Sequence, residues 1–185
     1  MKITIHQPNF IPWYPFFQKI EEADIFIILT HCQFEKNNYQ NRFNVNNQWY
    51  TMRVKKGINH IINKTYVNPI YDWNKIKKGF PKLNNITSNF DECITDNLAT
   101  TNVNIIKKAC KLLNITTKIK FDSPTDLNGT ARLVDLCKKY NGTEYLSGIG
   151  GKNYLQPELF KKEDIKISYQ TNLIKKPLFE ILNYE

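Results

Sequence analysis

No apolar run in this sequence approaches the roughly 20 residues needed to cross a bilayer. The opening MKITIHQPNF turns polar too early for a secretory leader. Together these absences lead us to expect a cytoplasmic protein with no membrane span. Cysteine is sparse. Cys32, Cys93, Cys110 and Cys137 include no CxxC pair, so in a reducing compartment they read as thiols rather than disulfides or metal ligands. Cys110 and Cys137 fall on apolar helical faces and are expected in the core, whereas Cys32 sits beside His31 in a loop. Internal repeats, linkers and low-complexity tails are missing. So are the HExxH, P-loop, GxSxG and EF-hand patterns. Three separated histidines define no metal site, and no cofactor is assigned. Interleaved aromatic and basic residues of the RNA-binding kind do not occur, so nucleic acid is not the expected partner.

What is present belongs to a globular protein. Hydrophobic residues make up 41% and aromatics 13% of 185 residues, enough to build a core within one domain, taken as residues 1–185. A net charge of +9, from 26 basic and 17 acidic residues, suggests an anionic partner. The lysines are scattered, however, with only short clusters such as Lys55-Lys56, Lys77-Lys78 and Lys175-Lys176. An Asn- and Lys-rich composition of the AT-rich kind accounts for the balance equally well.

Residues 2–6 alternate as a strand does, and HQPNFIPWYP then breaks regular structure with three prolines in eight residues. FFQKIEEA reads as a short helix. IFIIL is a continuous apolar run of strand length, suited to burial on both faces. FNVNNQWYTMRV reads as a hairpin turning at Asn46-Asn47, and HIINKTYV as a further strand. Asp72 is the expected cap of a helix starting at Trp73, and Asn102 that of a helix over residues 102–113. ITTKIKF, TEYLS and IKISYQ read as strands, with a helix from about Asn128 to Tyr140 closed by Gly142, and SGIGG as a loop. Strand–helix–strand units of this size imply right-handed parallel crossovers. The expected class is α/β, with a mostly parallel central sheet flanked by helices and a β-hairpin inserted after the second strand. The apolar ending PLFEILNYE either packs onto the domain or is the cut end of a longer fold.

Ligands of parallel α/β sheets bind beyond the carboxyl ends of the strands. Those ends would present His6 and Gln7, then Thr30, His31 and Cys32, then Asp122-Ser123, then Ser147-Gly148. His6 is the leading candidate, as a general base or as a ligand for phosphate or carboxylate. The plainer reading is a histidine satisfied by backbone carbonyls under a proline-rich turn. His31 and Cys32 are neighbours on extended backbone and point apart, so a thiolate–imidazole pair would need His6 with Cys32. A Cys32 that simply packs is the commoner arrangement. Arg42, beside Asn41, offers a fork for phosphate or carboxylate, or alternatively a surface ion pair. SGIGG is too short for a dinucleotide fingerprint, but its backbone could line an anion site. Trp13 and Phe16 are expected to fasten the HQPNFIPWYP loop by burial.

Taken together, HQPNFIPWYPFFQKI, ADIFIIL, QFEK, NR and YLSGIGGKNYL resemble, in order, the motif blocks of WbqC-like proteins. The resemblance covers almost the whole chain. It marks His6, Gln7, Pro8, Asn9, Pro12, Trp13, Gln33, Phe34, Lys36, Asn41, Arg42, Ser147, Gly148 and Tyr154 as motif positions. It implies a role in surface-polysaccharide (O-antigen-type) biosynthesis, with transfer of an acyl or aminoacyl group such as glycyl to an amino sugar. The implied partners are a nucleotide-linked amino sugar, or a similar anionic small molecule, and an aminoacyl donor. In that reading His6, His31 and Cys32 are the catalytic candidates, and Gln7, Asn9, Trp13, Asn41, Arg42, Ser147 and Gly148 bind substrate. A non-catalytic sugar-nucleotide or glycan-intermediate binding protein is the alternative, and a cysteine-dependent amide hydrolase a third. The chain departs from the family pattern where paired aspartates and a valine are replaced by Thr30, His31 and Cys32.

Overall fold

The computed structural model describes residues 1–57 and 59–183. Its strands are β1 (Lys2–His6), β2 (Ile25–Ile28), β3 (Arg42–Val45), β4 (Gln48–Thr51), β5 (Lys118–Phe121), β6 (Glu144–Ser147) and β7 (Lys166–Tyr169). Its helices are α1 (Tyr14–Glu21), α2 (Pro69–Lys77), α3 (Asn84–Ser88), α4 (Leu98–Leu112), α5 (Gly129–Lys139), α6 (Pro157–Lys161) and α7 (Leu178–Ile181). The chain groups into two compact units. The first comprises Met1–His6, Pro15–Leu29 and Thr116–Ile174, the second Gln7–Tyr14, Thr30–Ile115 and Lys175–Glu185. No helix among the described residues is long and apolar enough to cross a membrane.

The first unit is the α/β body. Its five strands are all parallel, in the order β5-β2-β1-β6-β7. A parallel sheet covered by helices must be apolar on both faces, and the inner strands obey this. Every residue of β2 is buried, and Ile3, Thr4 and Ile5 of β1 are at most 3% exposed. The sheet edge at β5 is blunted instead, since Lys118 and Lys120 are exposed and disfavour pairing with another chain. From β1 the chain runs through β2 to β5 on one side. It then returns to β6 on the other side of β1 and continues outward to β7. Connections therefore diverge between β1 and β6, which makes that boundary the switch point of the sheet.

Helix α5 ends in a Schellman arrangement. Asn141 takes the left-handed conformation (φ 54°), its amide bonds to Lys138, and the Gly142 amide bonds to the Cys137 carbonyl. The expected role of Gly142 is thus filled by Asn141. Gly142 is glycine for a packing reason, because a Cβ there would lie 2.5 Å from Ile3 Cδ1 of β1. Helix α4 closes in the same way, with Asn114 at φ 55° and Ile115 bonding back to Cys110. Cys110 and Cys137 are core residues whose thiols burial pushes up to about 12, so they stay protonated and unreactive.

In the second unit, β3 and β4 pair antiparallel around Asn46 and Asn47, at φ 51° and 64°. Both central residues adopt positive φ, as a two-residue type I′ hairpin requires and asparagine tolerates. Two expected caps move. Helix α2 is capped by Asn68, which accepts from the Tyr71 amide, and Asp72 instead lies inside the first turn. Helix α4 starts four residues earlier than expected, capped by Asn97, leaving Asn102 wholly buried in its interior. HIINKTYV forms a 3-10 turn at Ile61–Asn63 and isolated bridges rather than a strand, because its backbone groups are shared among several neighbours. The described part of the apolar ending packs onto this unit, with Phe179 buried against Phe43, Phe80 and Phe90; its last two residues lie outside the described residues.

Gly142→Ala should therefore destabilise the first unit by about 1–3 kcal/mol, through overpacking against Ile3. Urea unfolding with an unchanged midpoint would rule out that close approach.

Candidate functional site at the carboxyl edge of the parallel sheet

In the first unit His6 is the last residue of β1. It pairs with Ile28, and its carbonyl accepts from the Leu29 amide at 2.9 Å. The imidazole stands edge-on to Phe16 of α1, with centroids 5.1 Å apart, and is half-buried. Across the switch point Ser147 ends β6. It is 1% exposed, its Oγ donates to the Gly148 carbonyl at 3.0 Å, and its own carbonyl accepts from Gln170 at 2.9 Å. The segment expected as an SGIGG loop winds into a 3-10 turn at Ile149–Asn153. A Cβ at Gly151 would sit 2.0 Å from Ser147 Oγ, so only glycine lets the turn close over that hydroxyl. Gln170, just past β7, is 6% exposed and donates from Nε2 to the Pro15 carbonyl at 2.9 Å. Asp122, just past β5, is buried in an ion pair with Arg132 of α5.

Sequence reasoning passed over Lys19. It is 4% exposed, and its Nζ donates to the carbonyl of Ile5, the residue before His6, at 3.4 Å. Desolvation brings its pKa down to about 7, because burial penalises the ammonium form. A neutral amine is therefore accessible near neutral pH directly beneath the end of β1. The signal was available: Phe16, Lys19 and Ile20 share the apolar stripe of α1, where a lysine is out of pattern.

In the second unit the motif residues are laced together around Asn102. Its Nδ2 donates to the carbonyls of Pro8 (2.8 Å) and Gln40 (2.7 Å), and its Oδ1 accepts from Tyr66. Gln40 Nε2 in turn donates to Gln7 Oε1 at 2.6 Å, and the Phe10 amide donates to the Tyr39 carbonyl. Asn41 is 7% exposed and donates to the Met52 carbonyl at 2.8 Å. Asn9 is half-buried. Arg42 on β3 lays its guanidinium 4.0 Å over the Trp49 ring and donates from Nη2 to the Asn37 carbonyl. Thr30 is buried, with Oγ1 3.3 Å from His31 Nδ1, while His31 and Cys32 are half-buried. The Cys32 and Thr30 carbonyls accept from Ile61 and Ile62, which straps this segment to the 3-10 turn.

Trp13 corrects an expectation. Phe16 is buried, but Trp13 is 50% exposed, so it does not fasten the loop by burial. The loop is held instead by Phe10, which is wholly buried against Phe43 and Trp73, and by Asn102. No group of three or more His, Cys, Asp or Glu among the described residues could hold a metal ion.

An open five-stranded parallel α/β sheet with polar groups at its switch point defines the class of protein. Within that class, the chain belongs to the WbqC-like protein family, whose model matches residues 7–179. The chain is 28% identical to the uncharacterized protein Rv1507c of Mycobacterium tuberculosis over 189 residues, covering 91% of this chain and 81% of that protein. No solved structure matches.

Asn102→Leu should cost about 2–4 kcal/mol by orphaning two buried carbonyls. A loss under about 0.5 kcal/mol in urea unfolding would show that the network is dispensable. Lys19 gives a pH signature of definite sign. The folded state buries a costly ammonium below pH 7, whereas the unfolded lysine stays protonated well above it. Stability should therefore rise as pH climbs from about 7 towards the ordinary lysine range. Lys19→Met should lack that rise, and parallel stability–pH curves for the two proteins would refute it.

Proposed function

We propose that this protein transfers an acyl or aminoacyl group, such as glycyl, to the amine of a nucleotide-linked amino sugar in surface-polysaccharide (O-antigen-type) biosynthesis. One observation carries the reading: His6, the leading residue of the HQPNFIPW motif, ends β1 on one side of the switch point, opposite Ser147 at the end of β6. Acyl transfer to an amine needs a base. The amine lone pair attacks the acyl carbonyl, the leaving group departs with the bonding electrons, and the amine must shed a proton. Half-buried His6 is suited to take that proton near neutral pH. Ser147 and Gly148 are the proposed substrate contacts on the same sheet edge. A donor carboxyl or phosphate would meet backbone amides of the glycine-rich turn.

The second unit carries its own proposed substrate-binding groups: Gln7, Asn9, Trp13, Asn41 and Arg42. Exposed Trp13 offers a stacking face, and the Arg42 fork suits an anion. Gln7 accepts from Gln40 and Asn41 donates to the Met52 carbonyl, so their part would be to hold the motif in shape. His31 and Cys32 are proposed as additional catalytic groups, a proton acceptor and a nucleophile. A second reading, a binding protein for sugar nucleotides or glycan intermediates without turnover, is favoured by one departure. Thr30 and His31 stand where the family pattern has aspartates, and Thr30 is buried beside His31 Nδ1.

The test combines thermal-shift titration with nucleotide-linked amino sugars and mass spectrometry of the sugar after incubation with an aminoacyl donor. Wild type should be stabilised by ligand and should yield an aminoacylated sugar. His6→Ala should fold normally and lose turnover. Arg42→Lys should lose about tenfold in affinity, about 1.4 kcal/mol of ligand stabilisation at saturation. Trp13→Ala should stay within about 0.5 kcal/mol of wild-type stability yet respond less to ligand. Ligand stabilisation without product would select the binding reading. Equal responses from wild type, His6→Ala and Arg42→Lys would refute the assignment of these residues.

A further inference from the structure

The second unit contains a cavity of about 570 Å³ between the outer strand of the hairpin and helix α2, none of whose lining residues is a motif position. Its size is that of a small-molecule site. Aromatic rings form much of its wall: Trp49 is 43% and Tyr71 58% exposed, and Tyr50 lies between them and the core, against Phe43 and Phe80. Exposed rings of this size, gathered around one hollow, are costly to leave in water and offer flat faces for stacking. Gly79 belongs to the same construction, since a Cβ there would lie 2.6 Å from Tyr50 Cε1.

The polar groups are of one kind. Arg53 and Lys75 line the cavity, and Asp72, 4% exposed, is committed to Arg53. Asp72 Oδ1 accepts from Arg53 Nε at 2.8 Å and lies 2.8 Å from Nη2, while Oδ2 accepts from the Arg53 amide at 2.9 Å. The guanidinium carbon is 5.4 Å from the Tyr71 ring centroid. Such a clamp fixes the orientation of a side chain that is still 55% exposed, so its outer N–H groups are preorganised toward the opening. Asp72 neutralises Arg53, and Lys75, one turn beyond Tyr71 on α2, leaves the cavity with a net positive charge. Its chemistry is that of a planar ring bearing a negative group.

We propose that this cavity is a binding site for a phosphorylated planar-ring compound, of which a nucleoside monophosphate is the simplest. The ring stacks on Trp49 or Tyr71, and the phosphate engages Arg53 and Lys75. None of its lining residues is assigned to acyl transfer, although Arg42 lies over one face of the Trp49 ring, and the proposal holds whether or not that assignment does.

The full chain is titrated with AMP and UMP, and separately with uridine, inorganic phosphate and a neutral methyl glycoside. The indole N–H signals of Trp13, Trp49 and Trp73 are followed, with Trp49 assigned from Trp49→Phe. Either nucleotide should move the Trp49 signal saturably, with uridine and phosphate at least tenfold weaker. Lys75→Met, a change at an exposed position, should weaken nucleotide binding at least fivefold. Arg53→Gln should weaken it further, but it uncovers buried Asp72, so Lys75→Met decides if that variant fails to fold. His6→Ala should keep the wild-type midpoint at Trp49. The proposal is overturned by no saturable Trp49 shift with either nucleotide, by phosphate or the glycoside binding as tightly as the nucleotides, or by an unchanged Lys75→Met midpoint. It is equally overturned if nucleotide binding is lost in His6→Ala but kept in Lys75→Met, which would assign the nucleotide to the motif residues instead.

Discussion

The demand that β1 be satisfied on all sides governs the first unit. A central parallel strand must give its backbone groups to a neighbour on each edge and bury its side chains on each face. β1 pairs with β2 on one edge and with β6, about 140 residues later in the chain, on the other. Ile3, Thr4 and Ile5 vanish from solvent as a result, and Gly142 must lack a side chain so that the turn before β6 can pass Ile3. The same pairing creates the switch point. β2 follows on one side of β1 and β6 lies on the other, so His6 and Ser147 end neighbouring strands.

The second unit depends on a single amide in a comparable way. Asn102 lies inside α4, where an asparagine is a poor helix former, and it is retained where its side chain can serve three groups at once. It ties the loop after His6, through Pro8, to the segment before β3, through Gln40, and meets Tyr66 as well. With Phe10 buried in the aromatic core, this explains how a proline-rich loop is held without Trp13. Freed from packing, the Trp13 ring has half its surface available to a ligand.

Buried charge separates structural groups from chemically poised ones. Asp122 and Arg132 neutralise one another below the edge of the sheet, and Asp72 serves Arg53. Among the described residues Lys19 pairs with no carboxylate; its Nζ donates to the Ile5 carbonyl, and burial lowers its pKa to about 7. This Nζ meets the backbone of β1 one residue before His6.

The sequence by itself determined the periodic elements. The apolar run at IFII, the alternation over KITIH and the hairpin turn at Asn46-Asn47 are local signals, and the α/β class with its hairpin followed from them. The ordered motif blocks were likewise enough to identify the family. Tertiary structure alone decided what local patterns leave ambiguous. Asn68, Asp72, Asn97 and Asn102 are interchangeable as caps by residue type. Which two cap depends on which amides lack partners once the helices are docked, and that freed Asp72 for Arg53 and Asn102 for the core. HIINKTYV has strand composition but found no continuous partner. Trp13 and Phe16 look alike as anchors in sequence, yet only packing could bury one and expose the other. The strand order, and with it the edge that His6 and Ser147 share, rests on pairings between residues far apart in the chain, where sequence periodicity carries no information about which strand lies beside which.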